Sequence, residues 1–372
     1  MDGRDPAVSG AHLFLAGGIV HLDPATAVFE AMLVDFDRHQ ASRNLKPDTR
    51  RARERLVRQL QAFTGAWPWQ WTPAHFEHWS ATHLEDGRTP ATMRGYQGAI
   101  ASFCAFIADA RYQWPRVCEQ YFGSFPAQVC HELNRIRHTT DYEGHPDGNR
   151  PLSKQELTRL FEVANQRPAQ ACRLGRKGEL AAHRDAALLL TILGWGLRRT
   201  EASWLNVTDW RRNPAHPQFG RFGQLVVRRG KSARGSPPRR RVVLTVFPWS
   251  VTAVETYLAE VRPRFVDRYP DTGAMFPTER GQRITPKQIN ARFASLREDA
   301  GLDRHLGPHC LRHTYITTLL ERGWPLALVQ EQSGHSHAAT TGIYTALSDD
   351  FKNRWIYRVV GGPFTLAEDK DA

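Results

Sequence analysis

The sequence predicts a mainly α-helical chain of two domains, the second of which carries a small antiparallel sheet. Three observations predict it. Apolar residues recur at helical spacing through most of the 372 residues. A polar stretch rich in glycine and proline, EGHPDGNR at 143–150, separates two long helical regions. One stretch of the second region, GQLVVRRGKSARGSPPRRRVVLTV, switches from a period near 3.6 to a period of two. A chain of this length can bury two ordinary cores.

Residues 1–24 have no clear period and are expected to form an N-terminal extension. From 25 to 142 the pattern is helical. Leu56, Leu60 and Phe63 share a face opposite RRARER, and Ile100, Phe103, Phe106 and Ile107 form a second apolar stripe after TPATMRGYQ. AWPWQWTP at 66–73 breaks the pattern, and its tryptophans are expected to pack between helices rather than stack on bases. A linker is expected over 143–151. The second domain, 152–361, opens with PLSKQELTRLF, where Ser153 and Glu156 stand at capping-box spacing. DAALLLTILGWGLRRTEASWL reads as buried helix with a break at Gly194 to Gly196. Two β-branched runs around a Gly/Ser/Pro tip then predict a hairpin. From about Val251 helical spacing returns, and 362–372 reads as an acidic tail.

Composition narrows the function. With 41% hydrophobic and 24% charged residues the chain reads as a soluble globular protein. No apolar run approaches the roughly 18 residues of a membrane span. MDGRDPAVSG does not read as a signal peptide, and five scattered cysteines fit buried thiols in a reducing cytoplasm. The expected location is the cytoplasm, on the nucleoid. The net charge of +12 is concentrated: between Asp209 and Glu255 stand ten basic residues and no acidic one. Such a one-sign block usually faces a polyanion, most often nucleic acid. Arg228, Arg229, Arg234, Arg239, Arg240 and Arg241 are the expected DNA contacts.

Four segments carry the chemistry. GLRRTE presents Arg198 from a helix end, and RGKSARG places Lys231 near the hairpin tip. HCLRH supplies His309 and Arg312, three apart on one helix. SGHSHAATTGIYTAL sets His335 nine residues before Tyr344. Two arginines, a lysine, two histidines and a tyrosine are the groups needed to transfer a phosphodiester without a metal.

In this order and context the four segments resemble the tyrosine recombinase (phage integrase) family, from about Leu152 to Tyr344. The helical first half is more weakly similar to that family's core-binding domain. The resemblance implies a helical core-binding domain of SAM-like type and a mixed α/β catalytic domain, forming a C-shaped clamp on double-stranded DNA. It also implies tetramers on two synapsed sites. The implied reaction is site-specific breakage and rejoining of DNA through a 3′-phosphotyrosine, without metal, ATP or any other cofactor.

Elementary chemistry supports those assignments. Arg198 and Arg312 each offer a planar donor fork to non-bridging phosphate oxygens. Tyr344 is the expected nucleophile, and its covalent product stores the bond for religation. A phenol of pKa about 10 needs a proton acceptor at neutral pH, and His309 is the candidate. Lys231 is placed to protonate the departing 5′ oxygen. By resemblance alone, His335 bonds the phosphate and Glu201 steadies Arg198. Ser333 stands where the family usually has leucine, a departure that touches packing behind His335. The DDFKNR segment after the tyrosine looks like integrases of mobile elements.

Two rival readings remain. One is a zinc hydrolase using His309 and His313 with His335 or His337, although HCLRH lacks the glutamate of H-E-x-x-H and sets an arginine beside the metal. The other is a catalytically silent DNA-binding regulator with the same fold. Tyr357 is the alternative nucleophile.

Overall fold

A computed structural model describes residues 10–15, 23–137, 150–175, 177–230, 240–267 and 269–334. Internal contacts divide the chain into two units, with the described residues up to 137 in the first and those from 150 onward in the second.

In the first unit the helices are α1 (Gly10–Leu15), α2 (Pro24–Ser42), α3 (Pro47–Thr64), α4 (Pro73–Glu85), α5 (Pro90–Ile107) and α6 (Trp114–Phe122). Four of them begin the same way, with proline at the first helical position, where its missing N–H costs nothing. Before three of these prolines, Asp23, Thr72 and Thr89 accept from the N–H groups of Thr26, His75 and Thr92 at 3.1, 3.3 and 3.3 Å. Each such cap stabilises its helix by about 1 kcal/mol. The core is aromatic: Phe36, Phe76, Trp79, Phe103 and Trp114 are fully buried. Trp69 stacks on Phe122 with ring centroids 4.2 Å apart and planes 3° from parallel, so the tryptophan segment packs between helices as expected. The extension expected over 1–24 contains α1. Its Ala11 and Phe14 are buried in this core, and the Gly10 N–H donates to Asp35 Oδ2 at 2.8 Å.

In the second unit α7 (Lys154–Arg173) packs on α8 (Glu179–Gly194), whose Leu188, Leu189 and Ile192 lie at the centre of the core. The expected capping box closes α7: Ser153 Oγ accepts from Glu156 N at 3.2 Å, and Glu156 Oε2 from Ser153 N at 2.9 Å. A short α9 (Arg199–Ser203) precedes a sheet of order β1 (Trp210–Arg211), β2 (Gln224–Val227), β3 (Arg241–Leu244). The expected hairpin is β2 with β3, antiparallel, pairing Val227 with Arg241 and Leu225 with Val243. Strand β1 had no sequence signal; Trp210 is held there by Trp195, ring centroids 4.7 Å apart. The chain continues through α10 (Pro248–Thr256), a π-helical turn, α11 (Pro263–Val266), α12 (Pro286–Asp299), α13 (His309–Glu321) and α14 (Leu326–Ser333). Among the described residues no helix is long and apolar enough to cross a membrane.

Candidate active site

The site is assembled where α8 ends. Gly196 takes φ +58°, a left-handed conformation, and an added Cβ there would overlap the ring of Tyr315. This reversal turns the chain into Arg198, the N-cap of α9, with Glu201 at the third helical position. Glu201 Oε2 accepts from the Arg198 N–H at 2.9 Å, the reach-back half of a capping box. The other oxygen, Oε1, accepts from Arg198 Nη1 at 2.8 Å. The guanidinium is therefore tethered to its own helix before any ligand arrives.

Arg312 comes from the first turn of α13 and is completely buried. It donates through Nη1 to the Gly196 carbonyl and through Nη2 to the Ser333 carbonyl. The start of the second unit is tied to the same helix, since Leu152 N donates to Thr314 Oγ1 at 2.9 Å. His309, at the first position of α13, remains exposed to solvent, with its ring edge-on to that of buried His313 at 4.6 Å. Although the residue is exposed, neighbouring atoms strip part of the hydration from its ring. This partial loss, with the positive charges of Arg312 and Arg198, pushes the His309 pKa down to about 4, against the opposing pull of Glu201. The imidazole is neutral at pH 7 and able to accept a proton.

Of the expected DNA contacts, Arg240 is exposed. Arg229 lays its guanidinium 3.7 Å from the ring centre of half-exposed Trp204. Arg228 is paired with buried Asp209 at 2.7 Å. Arg241 does not face outward. Its fork closes on Glu201, Nη1 to Oε1 at 2.6 Å and Nη2 to Oε2 at 3.0 Å, and its Nε donates to the Gln332 carbonyl at 3.1 Å. The reason is local: a carboxylate stripped of water needs charge of the opposite sign, and β3 delivers it. Burial alone would raise the Glu201 pKa, but Arg241, then Arg198 and Arg312, hold it down to about 2.

The structure thus brings together Arg198, Glu201, His309 and Arg312. Lys231, Arg234, Arg239, His335, His337, Tyr344 and Tyr357 lie outside the described residues. Among the described residues, no three His, Cys, Asp or Glu side chains gather closely enough to hold a metal ion. Three guanidinium groups around one carboxylate leave a positive surplus, which suits an anion. Two features escaped the sequence reading. The Arg229–Trp204 stack joins residues 25 apart and left no local pattern. The inward turn of Arg241 was visible in principle: strand alternation puts it on the face of buried Val243, with Arg240 and half-exposed Val242 on the other.

Residues 150–350 match the model of the phage integrase family. The chain is 33% identical over 300 residues to the tyrosine recombinase XerC of Oceanobacillus iheyensis, covering 72% of this chain and 89% of that protein. It is 26% identical over 323 residues to the tyrosine recombinase XerC of Alcanivorax borkumensis, covering 86% and 89%. Its fold resembles the XerH site-specific recombinase bound to palindromic difH substrate, with TM-score 0.59, 16% identity, and 91% and 98% coverage. It also resembles the Tn1549 transposon integrase in complex with a circular intermediate DNA, with TM-score 0.58, 18% identity, and 89% and 99% coverage.

Proposed function

The chain belongs to the phage integrase family and is a tyrosine-type site-specific recombinase; from that premise we propose that it cleaves and rejoins double-stranded DNA through a 3′-phosphotyrosine at Tyr344, without metal or ATP. The observation that carries this reading is the convergence of Arg198 and Arg312 on adjacent carbonyls, Gly334 and Ser333, immediately before His335. Two forks meet at one place, beside a segment that also supplies His335 and, nine residues on, Tyr344.

In this mechanism the Tyr344 oxygen attacks phosphorus as the bond to the 5′ oxygen breaks. The phenol proton passes to neutral His309, and Lys231 gives a proton to the departing 5′ oxygen. Arg198 and Arg312, with His335, hold the charge that grows on the equatorial oxygens. Preorganised donors of this kind contribute roughly 3–4 kcal/mol each to transition-state binding. Attack by a 5′ hydroxyl on the phosphotyrosine reverses the steps, so bond energy is conserved and no nucleotide is consumed. The Tn1549 integrase is seen in complex with a circular intermediate DNA, which supports a DNA partner here. Arg228, Arg229, Arg234, Arg239 and Arg240 are its proposed backbone contacts. Residues 25–142 form the proposed second DNA-binding domain, and synapsed tetramers the working assembly.

The test uses a nicked suicide duplex enriched from a random-sequence pool by capture on the wild-type protein. The wild type forms a covalent adduct and Tyr344→Phe does not. An adduct that persists in Tyr344→Phe reassigns the nucleophile to Tyr357.

A further inference from the structure

The C-terminus of α14 receives three arginines on three consecutive carbonyls. Gln332 accepts from Arg241, Ser333 from Arg312 and Gly334 from Arg198. Carbonyls in the last turn of a helix have no partner within it and carry the negative end of its dipole, so cations collect there. The three come from different places in the fold: β3, α13 and the N-cap of α9. Glu201 joins two of them directly, because Arg241 and Arg198 share its carboxylate.

From this arrangement we infer that Arg241 is a positioning residue for strand cleavage, holding Glu201 and the α14 C-terminus so that Arg198 meets the phosphate in register, and that it makes no contact with DNA. The inference rests on the phosphotyrosine reading above. Four observations support it. Arg241 is 10% exposed, too little to present its fork to a passing backbone. All three of its nitrogens are engaged by Glu201 and Gln332. Gly334 has φ +64°, and a Cβ there would lie 2.8 Å from Arg241 Cδ, so the glycine leaves the room in which the arginine crosses. Gln332 makes a second tie across the same seam, its Oε1 accepting from Leu244 N at 2.9 Å. Strand β3 is thus fixed to α14 at both ends. It is also the strand by which the chain returns from the segment carrying Lys231. Arg241 therefore links the groups proposed for charge neutralisation and phosphate binding.

A merely structural arginine and a positioning one differ in what their loss does to the reaction. The charged groups facing Glu201 among the described residues are Arg198 at the N-cap of its own helix, Arg241 on β3 and Arg312 on α13, and the titratable His309 stands on α13 beside them. Without Arg241 the carboxylate loses its strongest counter-charge. Its pKa then rises, so that protonation on acidification releases Arg198 at a higher pH than in the wild type.

The experiment compares full-length wild type, Arg241→Lys and Arg241→Gln on the captured suicide duplex. It reads single-turnover adduct formation at saturating DNA from pH 4 to 8 and affinity from about 50 to 200 mM salt. For Arg241→Gln the saturated rate falls about a hundredfold, the scale of an ångström's misplacement. Its acid limb moves to higher pH, while affinity and salt slope stay at wild-type values. Arg241→Lys keeps the charge but not the fork, and recovers about a tenth of the wild-type rate, since fork geometry and charge both contribute. If Arg241→Gln does not fold, as judged by its thermal transition, the Lys variant decides by the same readouts. An unchanged saturated rate and acid limb overturn the inference, as does a salt slope smaller by about 0.9, the mark of a lost phosphate contact. A wild type that binds the duplex without forming an adduct sinks the phosphotyrosine reading itself, and the positioning role falls with it. An adduct formed equally by all three proteins sinks only the role of Arg241.

Discussion

Glu201 holds Arg198 at two points, its backbone N–H at 2.9 Å and its guanidinium at 2.8 Å, while its own side chain is wholly buried. A buried carboxylate of this kind is expensive unless fully paired, and removing one partner strands the others. Glu201→Gln is expected to cost about 3 kcal/mol of stability by urea denaturation at pH 7, the lower end for breaking a buried pair. The sign with pH is fixed. The carboxyl is held at about 2, below its ordinary 4.5, so its contribution is complete above pH 4.5 and is lost as pH falls toward 2. The gap between wild type and Glu201→Gln should therefore narrow on acidification through that window. A gap constant from pH 6 to 2.5 would show that the charge of Glu201 carries none of it.

Gly196→Ala tests the reversal that links α8 to the arginines. The new methyl meets the ring of Tyr315, and the left-handed backbone strains any residue but glycine. Overpacking and strain each cost about 1–3 kcal/mol, so a loss of about 3 kcal/mol is expected. Because the Gly196 carbonyl also accepts from Arg312, cleavage at saturating DNA should fall even at temperatures where the variant stays folded. A variant that melts lower yet cleaves at the wild-type rate would uncouple this turn from the chemistry.

Nuclear magnetic resonance titration checks His309. In the free protein its ring should titrate near 4, held there by partial loss of hydration and by Arg312 and Arg198. Bound phosphate neutralises those arginines, so the midpoint should rise when DNA is added. As a general base the residue works only when neutral; the cleavage rate is then flat at neutral pH and declines as acid protonates the ring. A midpoint near 6.5 in the free protein would mean the arginines do not govern it.

Arg198, His309 and Arg312 are legible in the sequence because each stands in a segment with its own local signal. Arg198 follows a glycine break, His309 and Arg312 share a helix start, and the hairpin announced itself by β-branched runs around a Gly/Ser/Pro tip. Local signals stop where the determinant is a distant partner. Strand β1 is two residues long and exists through Trp195 and β2, so no period marks it. Helix α1 is six residues long and is stabilised by burial of Ala11 and Phe14, which one short segment does not reveal. Arg241 sits among like charges, which predicts a DNA contact, whereas its fork closes on Glu201. Strand alternation marks the face it takes, and the position of Glu201, forty residues earlier, supplies the carboxylate that holds it there.

The basic face can be divided by its salt response. Arg229 lies flat on Trp204 and has no carboxylate partner among the described residues, whereas Arg228 is already paired with Asp209. Arg283, on the same tryptophan at 5.3 Å, spends its donors on the carbonyls of Ser203 and Leu205 and on Asn206 Oδ1. Burial of Arg283, followed by the charges of Arg228 and Arg229, lowers its pKa, with Asp209 opposing. Arg229 is therefore the member with donors left for a phosphate, and the indole fixes its plane at small entropic cost. Arg229→Ala should weaken DNA binding and reduce the slope of log affinity against log salt by about 0.9, one released counterion. Trp204→Ala should weaken binding with the slope unchanged, since it removes the platform and keeps the charge. Arg228→Ala should change the slope less than Arg229→Ala, because Asp209 already neutralises that charge. The reverse order, with Arg228 carrying the larger slope change, would mean that the Asp209 pair opens on DNA and that the stacked arginine is a packing feature.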